Sequence, residues 1–376
     1  MKQIVSLILV LTLFFYSCTQ QKKNFSDPPM IVYSPAETTG FIIKGYEDSP
    51  NTLIEVRDPW QGAEGVNTTF MIVRDSVVPD GYDGQYILGD AQRIICMSST
   101  HIGMLEAIDM VERIVGVSGM EYISNPYINN NADKIADVGY EGHINYEAIL
   151  RARPDLILLF SINGSSLMEG KLKELGIPFI YIGDYVEESP LGKAEWLVAI
   201  GELTGKREES VRLFDGIKHR YEILRDSVVG AEMERPSVML NMPFADSWFM
   251  PSTKSYVARL VEDAGGNYIY GKNTGSVSES IDLEEAYQLV SNSDFWLNTG
   301  NIKTLDQLKS ALPRFSEVKS LRNGNVYNNN LKSTPSGGND CYESGVVNPD
   351  LILRDLIKIF HPQLIEDSLV YYHRLK

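Results

Sequence analysis

Between residues 139 and 160 the spacing of apolar positions changes rhythm twice. The stretch GYEGHINYEAILRARPDLILLF opens as a glycine-bounded loop. It continues as a short helix with Ile149 and Leu150 on its apolar face, and it ends in the unbroken apolar run Leu156–Phe160. Asn145 is placed to cap that helix, and Pro154 ends it, having no N–H to donate and biasing its neighbour toward extended backbone. A strand apolar at every position is one covered on both faces, as in a parallel sheet. A weaker copy of this pattern returns over residues 282–298, DLEEAYQLVSNSDFWLN, which argues for two similar lobes.

Residues 31–92 follow a different pattern. Short runs at Phe41–Lys44, Thr52–Val56 and Thr69–Val73 alternate with Gly, Pro, Asn and Asp, which predicts a β-rich extension without a clear helix. From Arg93 a βα rhythm takes over. Strands are predicted at 93–98, 114–117, 156–160 and 178–182, and helices at 100–110 and 166–175, with Ser166 and Glu169 in capping-box relation. A long helical region from Ser189 to Val229 is interrupted near Thr204-Gly205. Its second part, about 23 residues, would reach roughly 35 Å. Further strands at 237–242, 294–298 and 325–328, with helices at 254–264, 304–312 and 349–360, complete a second α/β unit. The expected fold is therefore α/β: two Rossmann-like lobes with parallel central sheets joined by one long helix, plus the N-terminal β-rich extension.

The first residues belong to none of these elements. Lys2, the apolar run 4–15 and Ser17-Cys18 form a secretory leader with a small-residue cleavage point, and residues 19–29 are polar. The division that follows is a leader over 1–17, a tether over 18–30 and a first lobe over 31–205, of which 31–92 is the extension. A linker helix over 206–230 and a second lobe over 231–376 complete it. The net charge of −16 sharpens once the leader's one lysine is removed, and it argues against nucleic acid and anionic lipid as partners. A Cys96–Cys341 disulfide would tie the lobes across a cleft that must open, so both thiols are read as free.

Nothing in the chain nominates an enzyme: GxGxxG, GxxxxGK[ST], GxSxG, HExxH and CxxC are all absent. The carboxylate pair Glu187-Glu188 is read as solvated surface. The five histidines are too few and too one-sided for a bare divalent-metal site, although His101 and His143 both fall near the first lobe's loops, where imidazole could serve as an axial ligand to the iron or cobalt of a bound chelate. In open α/β sheets ligands sit beyond the carboxyl ends of the strands. That rule selects Ser99, His101, Asn163 and Tyr185 in the first lobe, and Phe244, Trp248, Asn298, Thr299 and Tyr342 in the second. The loop 332–345 is expected at the cleft mouth, with Lys332 its clearest cation.

The two loop–helix–strand units, each with a glutamate in the first turn of its helix (Glu147 and Glu284), resemble the periplasmic substrate-binding proteins of the cobalamin and iron–siderophore ABC importers. The leader resembles a bacterial lipoprotein signal with Cys18 as the lipidated residue, and it departs from that pattern in having Phe15 where leucine is usual. The resemblance spans roughly residues 90–335. It implies a monomeric, lipid-anchored protein of the bacterial cell envelope, facing the periplasm. Such a protein captures an iron–siderophore complex or cobalamin, or alternatively haem, and delivers it to an ABC permease dimer and its ATPase without a cofactor of its own. It further implies that Glu147 and Glu284 dock on permease arginines and that Tyr140 is a ligand-facing aromatic.

Overall fold

The computed structural model describes residues 29–79, 81–231 and 233–376, so the leader, Cys18 and most of the tether lie outside the described residues. Five strands form the first sheet: β1 (Met30–Tyr33), β2 (Phe41–Tyr46), β3 (Ser49–Arg57), β4 (Asn67–Val73) and β5 (Gln85–Leu88). They lie in chain order, antiparallel except for the parallel β4–β5 pair. The loop from Asp58 to Gly65 joins β3 to β4, closed by the Val66 N–H donating to Asp58 Oδ1 at 2.8 Å.

The next unit runs β6 (Ile94–Cys96), α1 (Ser99–Ala107), β7 (Ile114–Val117), α2 (Pro126–Asn130) and β8 (Ala136–Asp137). It continues with α3 (Tyr146–Ala152), β9 (Leu156–Leu159), α4 (Glu169–Leu175) and β10 (Phe179–Tyr181). Its sheet is wholly parallel in the order β10-β9-β6-β7-β8. Leu156–Leu159 are all buried, as an apolar run in a two-sided sheet requires. Gly176 ends α4 in the left-handed conformation. The capping box at the start of α4 does not close. Ser166 Oγ accepts the Met168 N–H at 3.2 Å, while the Glu169 carboxylate turns away to accept the Tyr181 hydroxyl at 2.7 Å.

Two helices follow, α5 (Pro190–Thr204) and α6 (Arg207–Val229), broken at Gly205 (φ 78°). Glu195 and Glu202, two turns apart on α5, are both buried and fasten the first sheet to it. Glu195 accepts the Tyr33 hydroxyl at 2.8 Å and the N–H groups of Ala36, Glu37 and Thr38 at 2.7–3.0 Å. Glu202 pairs with Arg74 and Arg207, each at 2.9 Å. Along α6 the burial passes from one core to the other: Phe214 packs in the first, Tyr221 and Val228 in the second.

The second unit comprises β11 (Ser237–Leu240), β12 (Ser247–Met250), α7 (Tyr256–Asp263), β13 (Asn267–Tyr268), β14 (Glu279–Asp282), α8 (Leu283–Asn292) and β15 (Phe295–Leu297). After these come α9 (Leu305–Ala311), α10 (Lys319–Arg322), β16 (Val326–Asn328), α11 (Pro349–Phe360) and β17 (His373–Arg374). Its main sheet has the order β13-β11-β15-β16-β17 with β17 antiparallel, and β12 pairs with β14 in a separate two-stranded ribbon. The two lobes are thus both parallel-sheet units but not copies. Counted in chain order, the first sheet of this kind reads 3-2-1-4-5 and the second 2-1-3-4-5, the two common doubly wound arrangements.

The loop 332–345 does more than line a cleft mouth, because it crosses into the first lobe. Thr334 Oγ1 donates to Glu121 O at 3.1 Å, and the Ser124 N–H donates to Glu343 Oε2 at 2.9 Å. Val346 and Val347 are buried in the first lobe's core. The approach is so close that a Cβ at Gly103 would overlap the Glu343 carbonyl, which is why α1 carries glycine there. Burial pushes the Glu343 carboxyl up to about 7, against the two hydrogen bonds from Ser124. Among the described residues no helix is long and apolar enough to cross a membrane.

Candidate functional site

Between the lobes lies a cavity of about 540 Å³ walled by both, within the size range of small-molecule sites. Local sequence explains the wall. Ser98 caps α1, accepting the Thr100 N–H at 3.3 Å, and Ser255 caps α7, accepting the Ala258 N–H at 3.4 Å. With the Pro190 end of α5, three helix N-termini meet the cavity. Their unsatisfied N–H groups favour electron-rich oxygen. From the first sheet, the β3–β4 loop delivers Trp60, held edge-on to Tyr181 at 5.2 Å, and Gln61, whose N–H donates to Ile162 O at 3.0 Å.

Three phenols converge here: Tyr185 from the first lobe, and Tyr256 and Tyr342 from the second. Burial, with its neighbours Tyr342, Cys341 and Tyr185, keeps the Tyr256 hydroxyl well above the ordinary phenol range. Burial chiefly pushes Tyr342 up to about 12. Tyr256 and Tyr342 are therefore neutral phenols. Among the described lining residues Lys193 is the one cation. It donates to Asp184 Oδ2 and O at 2.8 Å each and stands 5.7 Å from the Tyr256 ring centroid. No group of three His, Cys, Asp or Glu side chains able to hold a metal occurs among the described residues.

Of the residues the strand-end rule selected, Ser99, Tyr185, Asn298 and Tyr342 line this cavity. The other five, and Tyr140, which the resemblance implied, stand elsewhere. Trp248 is fully buried in the second core against Trp296, because on β12 its side chain takes the inward face. His101 is fully buried beneath the α1 end of the wall with neither ring nitrogen partnered, and burial lowers its pKa to about 4, so it is a neutral core residue. Thr299 is buried with its hydroxyl unpartnered. Phe244 is 79% exposed at a hairpin tip, Tyr140 is exposed against the edge of His143, and Asn163 is exposed on the loop that bridges to Gln61.

Two further readings change, and that of free thiols at Cys96 and Cys341 stands. Lys332 pairs with Asp340 at 3.5 Å and does not reach the cavity. Glu187 is no solvated acid: it accepts the Trp196 indole N–H at 2.7 Å and the Thr38 hydroxyl, and burial raises its pKa. Cys96 and Cys341 are free and buried, with Cys341 in the cavity wall. Sequence reasoning missed Trp60, Lys193, Asn241, Ser255 and Tyr256. The signal for Asn241 was present, since it directly follows a parallel strand; that for Ser255 and Tyr256 was the Ser cap of α7.

Both glutamates of the repeated unit stand on helix first turns at the surface. Asn145 caps the helix of Glu147, which pairs with Arg151 at 2.8 Å. Asp282 caps that of Glu284, which pairs with Arg314 at 2.7 Å.

A family profile described as periplasmic binding protein matches residues 94–330. Two uncharacterized lipoproteins of Methanocaldococcus jannaschii are 25% identical over 74% of this chain and 67% of theirs, and 26% identical over 84% and 82%. Among solved structures, a periplasmic heme binding protein from Pseudomonas aeruginosa shares 16% identity over 76% of this chain and 98% of its own, with a TM-score of 0.60. A periplasmic vitamin B12 binding protein of Vibrio cholerae shares 16% over 73% and 99%, TM-score 0.55. An Fe3+-hydroxamate transport protein from Saccharomonospora viridis shares 17% over 82% and 98%, TM-score 0.55. These likenesses establish a common fold.

Proposed function

Because the chain belongs to the periplasmic binding protein family, whose members bind substrates rather than transform them, we propose that it captures an iron–siderophore complex or cobalamin between its lobes and passes it to an ABC permease. The observation that carries this reading is the interlobe cavity, walled by phenols, hydroxyls, amides and helix N-termini from both lobes. Aromatic faces supply area and the polar groups supply orientation for a large, partly planar chelate. Lys193 is already paired with Asp184, so a polyanionic catecholate would meet no free cation, which favours a neutral or weakly charged ligand. Capture requires only that the ligand bind one disposition of the lobes better than others, with α6 as the proposed hinge between the divisions 31–205 and 231–376. The protein would act as a monomer, need no resident cofactor and be held to the membrane through Cys18. Glu147 and Glu284, one per lobe, are the proposed docking points. Reversing both to arginine should abolish uptake in cells and leave ligand affinity intact.

A second reading, haem, is favoured by the three convergent phenols, since tyrosine is one of the side chains that hold haem iron. A titration of intrinsic fluorescence tests both. Trp60 is the tryptophan in the cavity wall, while Trp196, Trp248 and Trp296 are fully buried and within range of energy transfer to a coloured ligand, so the saturation of the quenching is the readout. The titrants are cyanocobalamin, haemin, a ferric trihydroxamate and a ferric tricatecholate. Quenching that saturates at one equivalent with one class is expected; no saturable response to any, with the fold intact, would overturn the proposal.

A further inference from the structure

Two residues of the cavity wall hold a backbone conformation that side chains disfavour. Asn241 (φ 66°) and Asn298 (φ 62°) are both left-handed and both line the cavity. They are neighbours. Leu240 pairs with Leu297, and the Asn241 N–H donates to Leu297 O at 3.0 Å, so the two asparagines leave β11 and β15 side by side. These are the strands between which the order of the second sheet reverses, where open α/β sheets receive ligands. Asparagine tolerates this region better than other L-residues, and such strain persists where surroundings enforce it. Here they do: the Trp296 indole N–H donates to Asn241 O at 2.6 Å, and that of Trp248 to Leu240 O at 2.9 Å.

The side chains are held in complementary senses. Tyr372 donates its hydroxyl to Asn298 Oδ1 at 3.0 Å, leaving the Asn298 Nδ2 donors without a partner among the described residues. Asn241 Nδ2 donates to Phe249 O at 3.1 Å, leaving Asn241 Oδ1 without one. One carboxamide thus offers a donor and its neighbour an acceptor.

We propose that Asn241 and Asn298 together read an amide edge on the ligand, Asn298 donating to its carbonyl and Asn241 accepting from its N–H. The ligand is then an amide-bearing chelate, a peptidic hydroxamate siderophore or a corrinoid with its peripheral carboxamides. Haem, whose polar periphery is two carboxylates, offers no such donor. The inference rests on the proposed function.

The test is tryptophan quenching by cyanocobalamin, a peptidic ferric trihydroxamate and haemin, with wild type, N241G, N298G, N241D and N298D, alongside thermal melts. Glycine relieves the left-handed backbone but also removes the carboxamide's bond to Tyr372 or Phe249, two effects of opposite sign, so both glycine variants should melt near the wild-type temperature, yet bind the amide-bearing probe about tenfold more weakly. N298D keeps acceptors and loses the donor, and should bind as weakly as N298G. N241D keeps an acceptor and should outperform N241G. Unchanged affinity in all four variants would overturn the proposal. So would haemin as the tightest probe and the one the variants weaken. Silence from every probe with wild type would instead sink the transport reading. The paired reading, which rests on it, would fall with it.

Discussion

Glu195 on α5 and Asp355 on α11 do the same job at the two ends of the described chain. Glu195 accepts three consecutive N–H groups, from Ala36 to Thr38, and the Tyr33 hydroxyl. Asp355 accepts three consecutive N–H groups, from Val370 to Tyr372, at 2.7–3.1 Å. Each buried carboxylate turns a peripheral segment into part of the fold, because three polarised donors compensate for its desolvation. What differs is where the fastened segment leads. The segment held by Asp355 carries Tyr372, whose hydroxyl fixes Asn298 in the cavity wall. The one held by Glu195 leads into the first sheet, which reaches the cavity only through the distant β3–β4 loop and Trp60. One device therefore serves the site directly in the second lobe and mainly the architecture in the first.

The largest expected effects come from breaking the two anchors. Glu195→Gln and Asp355→Asn each turn an amide N–H₂ toward backbone donors, and each should lower unfolding free energy in urea by about 3 kcal/mol. Only Asp355→Asn should also weaken ligand binding; equal affinities in the two variants would break the comparison. Next comes the crossing segment. The Glu343 carboxyl titrates at about 7 when folded and near 4.5 when unfolded. The neutral form is therefore favoured by the fold, and its stabilisation is full below about 4.5 and lost as pH rises through 7. Wild type should lose about 3 kcal/mol across that window relative to Glu343→Gln, read from melts at paired pH values.

Tyr372→Phe removes the bond to Asn298 while keeping the ring. About 1 kcal/mol of stability and a few-fold of affinity should go; loss of stability with no change in binding would mean that Asn298 does not need its partner. The smallest effect belongs to the exposed Glu147–Arg151 pair. Arg151→Ala should change stability by less than about 0.5 kcal/mol, a baseline against which the buried carboxylates stand out.

Much of the fold was legible because its signals are local. Leu156–Leu159 read as a covered strand, Gly176 as a helix stop and Thr204-Gly205 as a helix break, since burial on two faces and left-handed glycine leave marks in a few consecutive residues. The site was half legible. The strand-end rule reached Ser99, Tyr185, Asn298 and Tyr342 but began two residues late after β11 and so passed over Asn241. Its failure at Trp248 has a plain cause. Whether Trp248 or Phe249 faces the core depends on which side of a ribbon packs inward, and both are aromatic, so their pattern carries no preference.

Sequence alone determined the α/β class, the repeated glutamate-bearing unit, the Asn145 cap and Gly176 stop, and the want of catalytic motifs, all of them properties of short windows governed by backbone propensity and hydrophobic period. Only the tertiary structure decided that Val346 and Val347 belong to the first core, that His101 is sealed beneath the wall, and that Asn241 and Asn298 stand side by side with opposite hydrogen-bonding faces. Those facts join residues tens to hundreds of positions apart. Such contacts are set by sheet order and by the packing of whole elements, which no single stretch of chain encodes.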